Sequence, residues 1–418
     1  MMREKIGKFR GFTFTKMKTI PSSQRIHLRF ATLFTSCILS ATAARAQYHV
    51  FYSFTGGNGV YPEGGLTLND GFLYGTTGST IFRYDLHPPT FIQPPRFQTI
   101  HTFATPEIGL YPTSALLTIG QTLYGTLSEG GIDNGGSVFK INTDGTSAAA
   151  VHLFNPANEW SPAADLTLSG GTLYGSASYS GTNGLGVFFK IRPDGTGYQV
   201  LRTLSNIAGN DSRLVVNGDT IYGIDEGRAL TFPFRHYGFI FSMKTDGSDY
   251  TVLRQFTIAA DGLGPRALTF DGNTLYGTCL AGGAANAGTV FSMNTDGSGF
   301  QTLKSFVSSE GSRPTGELTL SGGTLYGVTS NGGAFDAGVL YSIDTDGSDF
   351  RVFEDFGGLN GERPLGGVVV NGDDLFGVTT LGGTNGYGTL YVHHVPEPAI
   401  GALLLFGGLA LSRRTRRS

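Results

Sequence analysis

Between Tyr48 and Val395 the chain alternates short apolar runs with glycine-rich breaks, and the alternation itself repeats. One copy, Gly316 to Phe356, reads "GELTLSGG", "TLYGVTS", "AGVLYSI" and "DFRVFEDF": four runs of strand length, rich in Leu, Val, Tyr and Phe and set off by glycine. An apolar pair before glycine recurs at Leu73-Tyr74, Leu123-Tyr124, Leu173-Tyr174, Ile221-Tyr222, Leu275-Tyr276, Leu325-Tyr326 and Leu375-Phe376, at intervals of 48 to 54 residues. A second marker closes the fourth run at Phe54, Phe103, Phe154, Leu204, Phe256, Phe306 and Phe356. Both markers count seven.

Runs such as "LTL" and "VFFKI" lack the polar alternation of a sheet with one wet face, so both faces must be covered. Radial stacking of four-stranded repeats does this, because each sheet packs between two others. The pattern predicts an all-β fold, a seven-bladed β-propeller of antiparallel blades. Asp144-Gly145, Asp194-Gly195, Asp246-Gly247, Asp296-Gly297 and Asp346-Gly347 fall between the third and fourth strands, where a tight hairpin demands positive φ. The last copy stops after its third strand, and "YHVFYSF", Tyr48 to Phe54, matches the missing fourth. Closure of the ring by the N-terminal strand is therefore expected, removing two unpaired edges.

The two ends carry a different pattern. Arg25 and Arg29 precede an apolar stretch from Phe30 to Ala43, then Ala44-Arg45-Ala46, which is the order of a secretory signal cleaved after Ala46; Met17 also fits as the start. At the other end Pro396-Glu397-Pro398 precedes an apolar run, Ala399 to Leu411, and then Arg413, Arg414, Arg416 and Arg417, the layout of a stop-transfer device. The run is short for a free-standing span. Three regions are thus expected: an export segment at 1–46, the propeller at 47–395 and a tail at 396–418.

The tail resembles the PEP-CTERM sorting signal of Gram-negative bacteria. That resemblance implies transient inner-membrane insertion through the C-terminal helix, recognition by an exosortase-type protease, and delivery to the cell surface or extracellular matrix. An unprocessed membrane anchor is the other reading. The repeat wording, "GGTLYGxTxxGG" through "VFxIxTDG", is similar to the GloVer tandem repeat of bacterial surface proteins, in the style of kelch repeats. It implies a propeller and no defined enzymatic activity. The first copy departs with "DLHPPTFIQPPRF", and the fourth with "IDEGRALTFPFRHYGFIF".

Composition narrows the chemistry. A net charge of -3 with scattered Lys and Arg disfavours nucleic acid as a partner. Of the two cysteines, Cys37 lies in the export segment and Cys279 occupies a position held by Ser or Thr in other copies, so no disulfide framework or thiolate metal set is expected. No His-Glu-x-x-His, Cys-x-x-Cys, Gly-x-Ser-x-Gly or phosphate-loop motif occurs, and no cofactor, metal or catalytic residue is assigned. "DTDGSD", Asp344 to Asp349, has the wrong spacing for a calcium loop and reads as a hairpin turn. His393 and His394 are strand neighbours that point to opposite faces.

Propeller geometry puts the Asp-Gly turns on one face and gathers the double-glycine loops and the blade connectors on the other. That second face carries the residues that differ between copies: Glu107, Glu129, Asp133, Glu159, Trp160, Asp225, Glu226, Arg228, Glu310, Arg313, Asp336, Glu362 and Arg363. Trp160, Glu159, Asp225, Glu226, Arg228, Arg313 and Arg363 are the ligand-binding candidates. The single tryptophan is either a platform for a sugar ring or a cap between blades. Arg228, Phe232, Phe234, Arg235 and His236 form either a lid or an ordinary insertion. The expected role is a binding or structural module for exopolysaccharide or another surface glycan, by analogy of fold. The rival is a glycosidase or lyase with a carboxylate pair on the loop face.

Overall fold

In every copy the glycine after the apolar pair stands opposite an aromatic residue of the next strand. Gly75 faces Phe82, Gly125 Phe139, Gly175 Phe189, Gly223 Phe241, Gly277 Phe291, Gly327 Tyr341 and Gly377 Tyr391. A Cβ on Gly125 would come within 2.8 Å of the Phe139 ring, so the ring is seated on bare backbone. The two residues before this glycine point to opposite sides of the strand. Leu123 joins Tyr74, Ile81 and Phe139 in one interblade core, and Tyr124 joins Phe154, Leu173 and Phe189 in the next. Each blade is thus apolar on both faces.

The computed structural model describes residues 48–87, 96–155, 161–162, 164–178, 186–204, 214–225, 238–257 and 259–395. The expected export segment at 1–46 and the tail with Pro396, Glu397, Pro398, Arg413, Arg414, Arg416 and Arg417 lie outside these residues. Among the described residues seven antiparallel sheets make a seven-bladed propeller; six have four strands and one has five, and in all but the closing blade the strands come from one stretch of sequence. Blade 6 has Thr319–Ser321 innermost, then Thr324–Asn331, Val339–Asp344 and Arg351–Asp355, and adds Ser312–Pro314 as a fifth strand paired with its second.

Blade 7 takes Val369–Asn371, Asp374–Thr379 and Thr389–His394 from the end of the propeller and Tyr48–Ser53 from its beginning. This closing strand reproduces the details of the other outer strands. Phe54 N–H donates to the Gly388 carbonyl at 3.0 Å, as Phe306 does to Gly288 and Phe356 to Gly338 at the same distance. The register shift between Val50 and Tyr52 also matches the one between Leu340 and Tyr341 in blade 6.

A second repeating contact, not visible as a motif, ties neighbouring blades at the rim. The outer strand of one blade lays a side chain over an aromatic residue of the next: Tyr52 on Phe97 (3.9 Å), His152 on Tyr198 (3.9 Å), Arg202 on Tyr250 (3.5 Å), Arg254 on Phe300 (3.5 Å) and Lys304 on Phe350 (3.9 Å). The overlying position holds a phenol ring, an imidazole or a cation because each offers a flat or cationic partner to the ring face.

The Asp-Gly turns are hairpins held by their own carboxylates. Gly347 takes φ 88°, and Asp346 accepts the Ser348 N–H at 2.8 Å and its hydroxyl at 2.6 Å. Those bonds hold the exposed Asp346 carboxyl below its ordinary range. His393 is buried with both ring nitrogens unpartnered, whereas His394 is exposed and pairs with Asp374 at 2.9 Å. Cys279 is fully buried, which pushes its thiol up to about 12.

Candidate functional site

On the face opposite the Asp-Gly turns, each connector enters the next inner strand through a residue and a buried proline. The pairs are Tyr61-Pro62, Tyr111-Pro112, Ser161-Pro162, Gly264-Pro265, Arg313-Pro314 and Arg363-Pro364. The residue before the proline is left-handed in all six, with φ of 55°, 59°, 59°, 63°, 56° and 53°. A residue before proline favours extended backbone, and a left-handed non-glycine residue costs about 1–3 kcal/mol. The buried proline anchors the chain, and the turn throws the preceding side chain outward. Tyr61, Tyr111, Arg313 and Arg363 are accordingly exposed round the axis.

Inside that ring the last residues before the inner strands line a funnel of about 330 Å³, among them Glu63, Thr113, Asp165, Arg266, Thr315 and Glu317. This volume is at the lower end for small-molecule sites. Asp165 accepts the Ala115 N–H at 2.6 Å, linking two blades across the wall. Burial pushes the Glu63 carboxyl up, and Arg363 opposes that shift from the neighbouring connector. The funnel therefore combines three carboxylates with one guanidinium at its wall and a second near its lip.

Outside the lip the same face exposes apolar side chains. Phe335 and Leu359 are each 69% exposed, and Tyr387 lies 6.3 Å from Tyr61 across the seam between blades 7 and 1. Val307, Tyr61 and Tyr111 are exposed on the same face. Aromatic and cationic groups thus share an arc over blades 6, 7 and 1.

Of the residues expected to bind, Arg313 and Arg363 lie on this arc. Asp225 does not: it is buried at the end of Thr220–Asp225, near enough to Tyr250 to help burial raise that phenol to about 12. Glu159, Trp160, Glu226 and Arg228, with Phe232, Phe234, Arg235 and His236, lie outside the described residues. Three other acids on the face serve the loops themselves. Glu310 pairs with Lys304 at 2.6 Å, Asp336 accepts Gly332 N–H at 2.9 Å, and Glu362 accepts Gly358 N–H at 3.1 Å. Among the described residues no group of three or more His, Cys, Asp or Glu is placed to hold a metal ion.

The residues that sequence reasoning missed are Glu63, Asp165, Arg266 and Glu317 in the funnel, and Tyr61, Tyr111 and Tyr387 on the lip. A signal existed for Asp165 and Glu317. Aligning copies on the leucine or valine before each inner strand puts Gly65, Ala115, Asp165, Arg213, Ala267, Glu317 and Gly367 in one column, which varies in charge from copy to copy.

The described fold and its funnel define a closed seven-bladed β-propeller with one variable face. The chain belongs to the Gloeobacter/Verrucomicrobia repeat family, whose model matches residues 35–232 and 233–409. No curated protein matches it in sequence. Among solved structures it is similar to the AfRom2 CNH domain, at 10% identity and TM-score 0.52, covering 83% of this chain and 98% of that one. It is also similar to oligogalacturonate lyase from Vibrio parahaemolyticus (10% identity, TM-score 0.49, 84% and 98% covered) and to a chain of a nidogen/laminin complex (18%, 0.44, 70% and 94%). At these identities the likeness is one of fold alone.

Proposed function

We propose that this protein is an exported binding module of the cell surface or extracellular matrix, and that its connector face binds a surface polysaccharide. One observation carries the reading: at the six connector positions that the structure describes, four hold Tyr or Arg in a strained left-handed turn, where the glycine of blade 5 shows the relaxed choice. A purely structural connector gains nothing from that strain, whereas a surface that stacks sugar rings on tyrosines and grips them with guanidinium groups does. Export follows from the signal segment and the sorting tail, with an exosortase-type protease as the processing partner.

The test is a glycan array probed with the purified protein, beside a Tyr61→Ala/Tyr387→Ala double variant of unchanged unfolding temperature. Binding to polysaccharide that the double variant loses is the expected result. A blank array, or binding indifferent to both tyrosines, overturns the reading. Export is checked separately, by finding the chain without residues 396–418 in the surface or matrix fraction of an exosortase-bearing Gram-negative host.

A second reading, cleavage of the bound glycan, draws on Glu63, whose carboxyl is raised by burial beside Asp165 and Glu317 in one funnel. Release of new reducing or unsaturated ends that disappears in Glu63→Gln would favour it over binding alone.

A further inference from the structure

The cations and anions of the connector face are not used alike. On blades 5 to 7 the carboxylates at the face are consumed by the protein itself. Glu310 holds Lys304, Asp336 and Glu362 close their own loops, and Asp355 accepts the Ala334 N–H at 2.7 Å. The guanidinium groups of Arg313 and Arg363 make no hydrogen bond or ion pair among the described residues, and both are exposed. Arg363 has only the more distant charge of Glu63 to oppose it.

These two arginines occupy the same position in adjacent blades. Each is fixed at its backbone: Arg313 N–H donates to the Ala287 carbonyl at 2.9 Å, and Arg363 N–H to the Ala337 carbonyl at 2.8 Å. They are therefore presented at a spacing set by one blade rotation, with Phe335 and Leu359 between them in sequence and Tyr387 and Tyr61 beyond Arg363. A guanidinium fork matches the two oxygens of a carboxylate, and the flanking rings match the apolar faces of sugars.

Resting on the polysaccharide reading above, we propose that the ligand is an anionic polysaccharide, a uronate polymer whose carboxylates are taken by Arg313 and Arg363. Of the funnel acids, Asp165 accepts the Ala115 N–H, and Glu63 acts on Arg363 only as a charge at a distance, without an ion pair.

The test uses the full chain and two probes, alginate and polygalacturonate, each beside its carboxyl-reduced derivative, which keeps the linkages and loses the charge. Affinity electrophoresis is expected to show both acidic polymers bound, and each reduced polymer weaker by about tenfold or more. Binding of the acidic forms should fall as salt rises. Arg313→Gln and Arg363→Gln should each cost about tenfold toward the acidic forms. Arg313→Gly, which relieves the left-handed strain, should be at least as stable as the parent and still lose binding. Equal binding of acidic and reduced polymers, unchanged by the arginine variants but lost in Tyr61→Ala/Tyr387→Ala, overturns the inference and leaves the polysaccharide reading intact. No binding to either acidic polymer overturns the inference, and a blank glycan array overturns the reading beneath it.

Discussion

Thr380 donates its buried hydroxyl to the carbonyl of Pro62 at 3.1 Å, across 318 positions of sequence. Blade 7 contributes the threonine and the connector into blade 1 contributes the proline. Hydroxyl-to-carbonyl bonds from another position of the repeat cross other seams, from Thr76 to the Ser114 carbonyl at 3.1 Å and from Thr126 to the Ala164 carbonyl at 3.2 Å. A Cβ on Gly388 would meet Pro62 Cδ at 3.0 Å, as one on Gly338 would meet Pro364 Cδ at 3.0 Å between blades 6 and 7, so the seam where the ring closes is packed like its neighbour.

Equivalence of the seam can be measured. Phe54 and Phe306 are both fully buried and end the outer strands of blades 7 and 5 in the same way. Phe54→Ala and Phe306→Ala should each destabilise by about 3–5 kcal/mol in urea unfolding, within about 1 kcal/mol of one another. A much smaller loss for Phe54→Ala would mean that the closing strand is dispensable.

The glycine beneath the aromatic ring gives a sharper test. Gly125→Ala sets a methyl group 2.8 Å from the Phe139 ring and should cost about 1–3 kcal/mol. Gly57→Ala, with nothing within 4 Å, should change stability by less than about 0.5 kcal/mol. Equal effects of the two would show that backbone entropy, not ring seating, explains the motif.

Acid should loosen blade 7 through His393. Burial, with His394 beside it, depresses this imidazole from 6.5 to about 4. The unfolded chain then binds the proton more readily than the folded one, so stability is full above pH ~6.5 and falls as the pH drops toward 4. The loss reaches about 3 kcal/mol by pH ~4. His393→Phe, which keeps a ring against Phe353, should flatten the unfolding-temperature profile over this window; a profile unchanged by the substitution would place the acid sensitivity elsewhere.

The rim contacts should contribute through packing as well as charge. Arg254 stacks on Phe300 at 3.5 Å and pairs with Asp261 while three-quarters buried. Arg254→Ala should cost about 1–2 kcal/mol, and a double-mutant cycle with Phe300→Leu should return a coupling of about 0.5 kcal/mol or more. No coupling would reduce the girdle to coincidence of spacing.

Much of this architecture is legible from local chemistry. Short β-rich runs, the Asp-Gly turns and the mutual incompleteness of the two ends depend on residues that act within a few positions of themselves or by simple count. The site is less legible. Asp225 looks like a loop carboxylate beside Glu226, yet it is the last residue of its strand and is buried there. Tyr61 and Arg313 look unremarkable before proline, because nothing in "VYPEGG" or "SRPTGE" announces a left-handed turn that a non-glycine residue must be forced to adopt.

By itself, then, the sequence determined the number of blades, the strands in each, the turn chemistry and the partner of the first strand, since these rest on periodicity, on φ preferences and on the cost of an unpaired edge. Only the tertiary structure decided which residues meet. Radial packing brings positions about 50 residues apart into one ring. It gathers Glu63, Asp165 and Glu317 into one funnel. It spends the acids of the upper loops on their own backbone, and it leaves Arg313 and Arg363 facing water. The reason is physical: the charge available to a ligand is what remains after neighbouring blades have satisfied one another, and that remainder depends on distances that do not exist until the ring is closed.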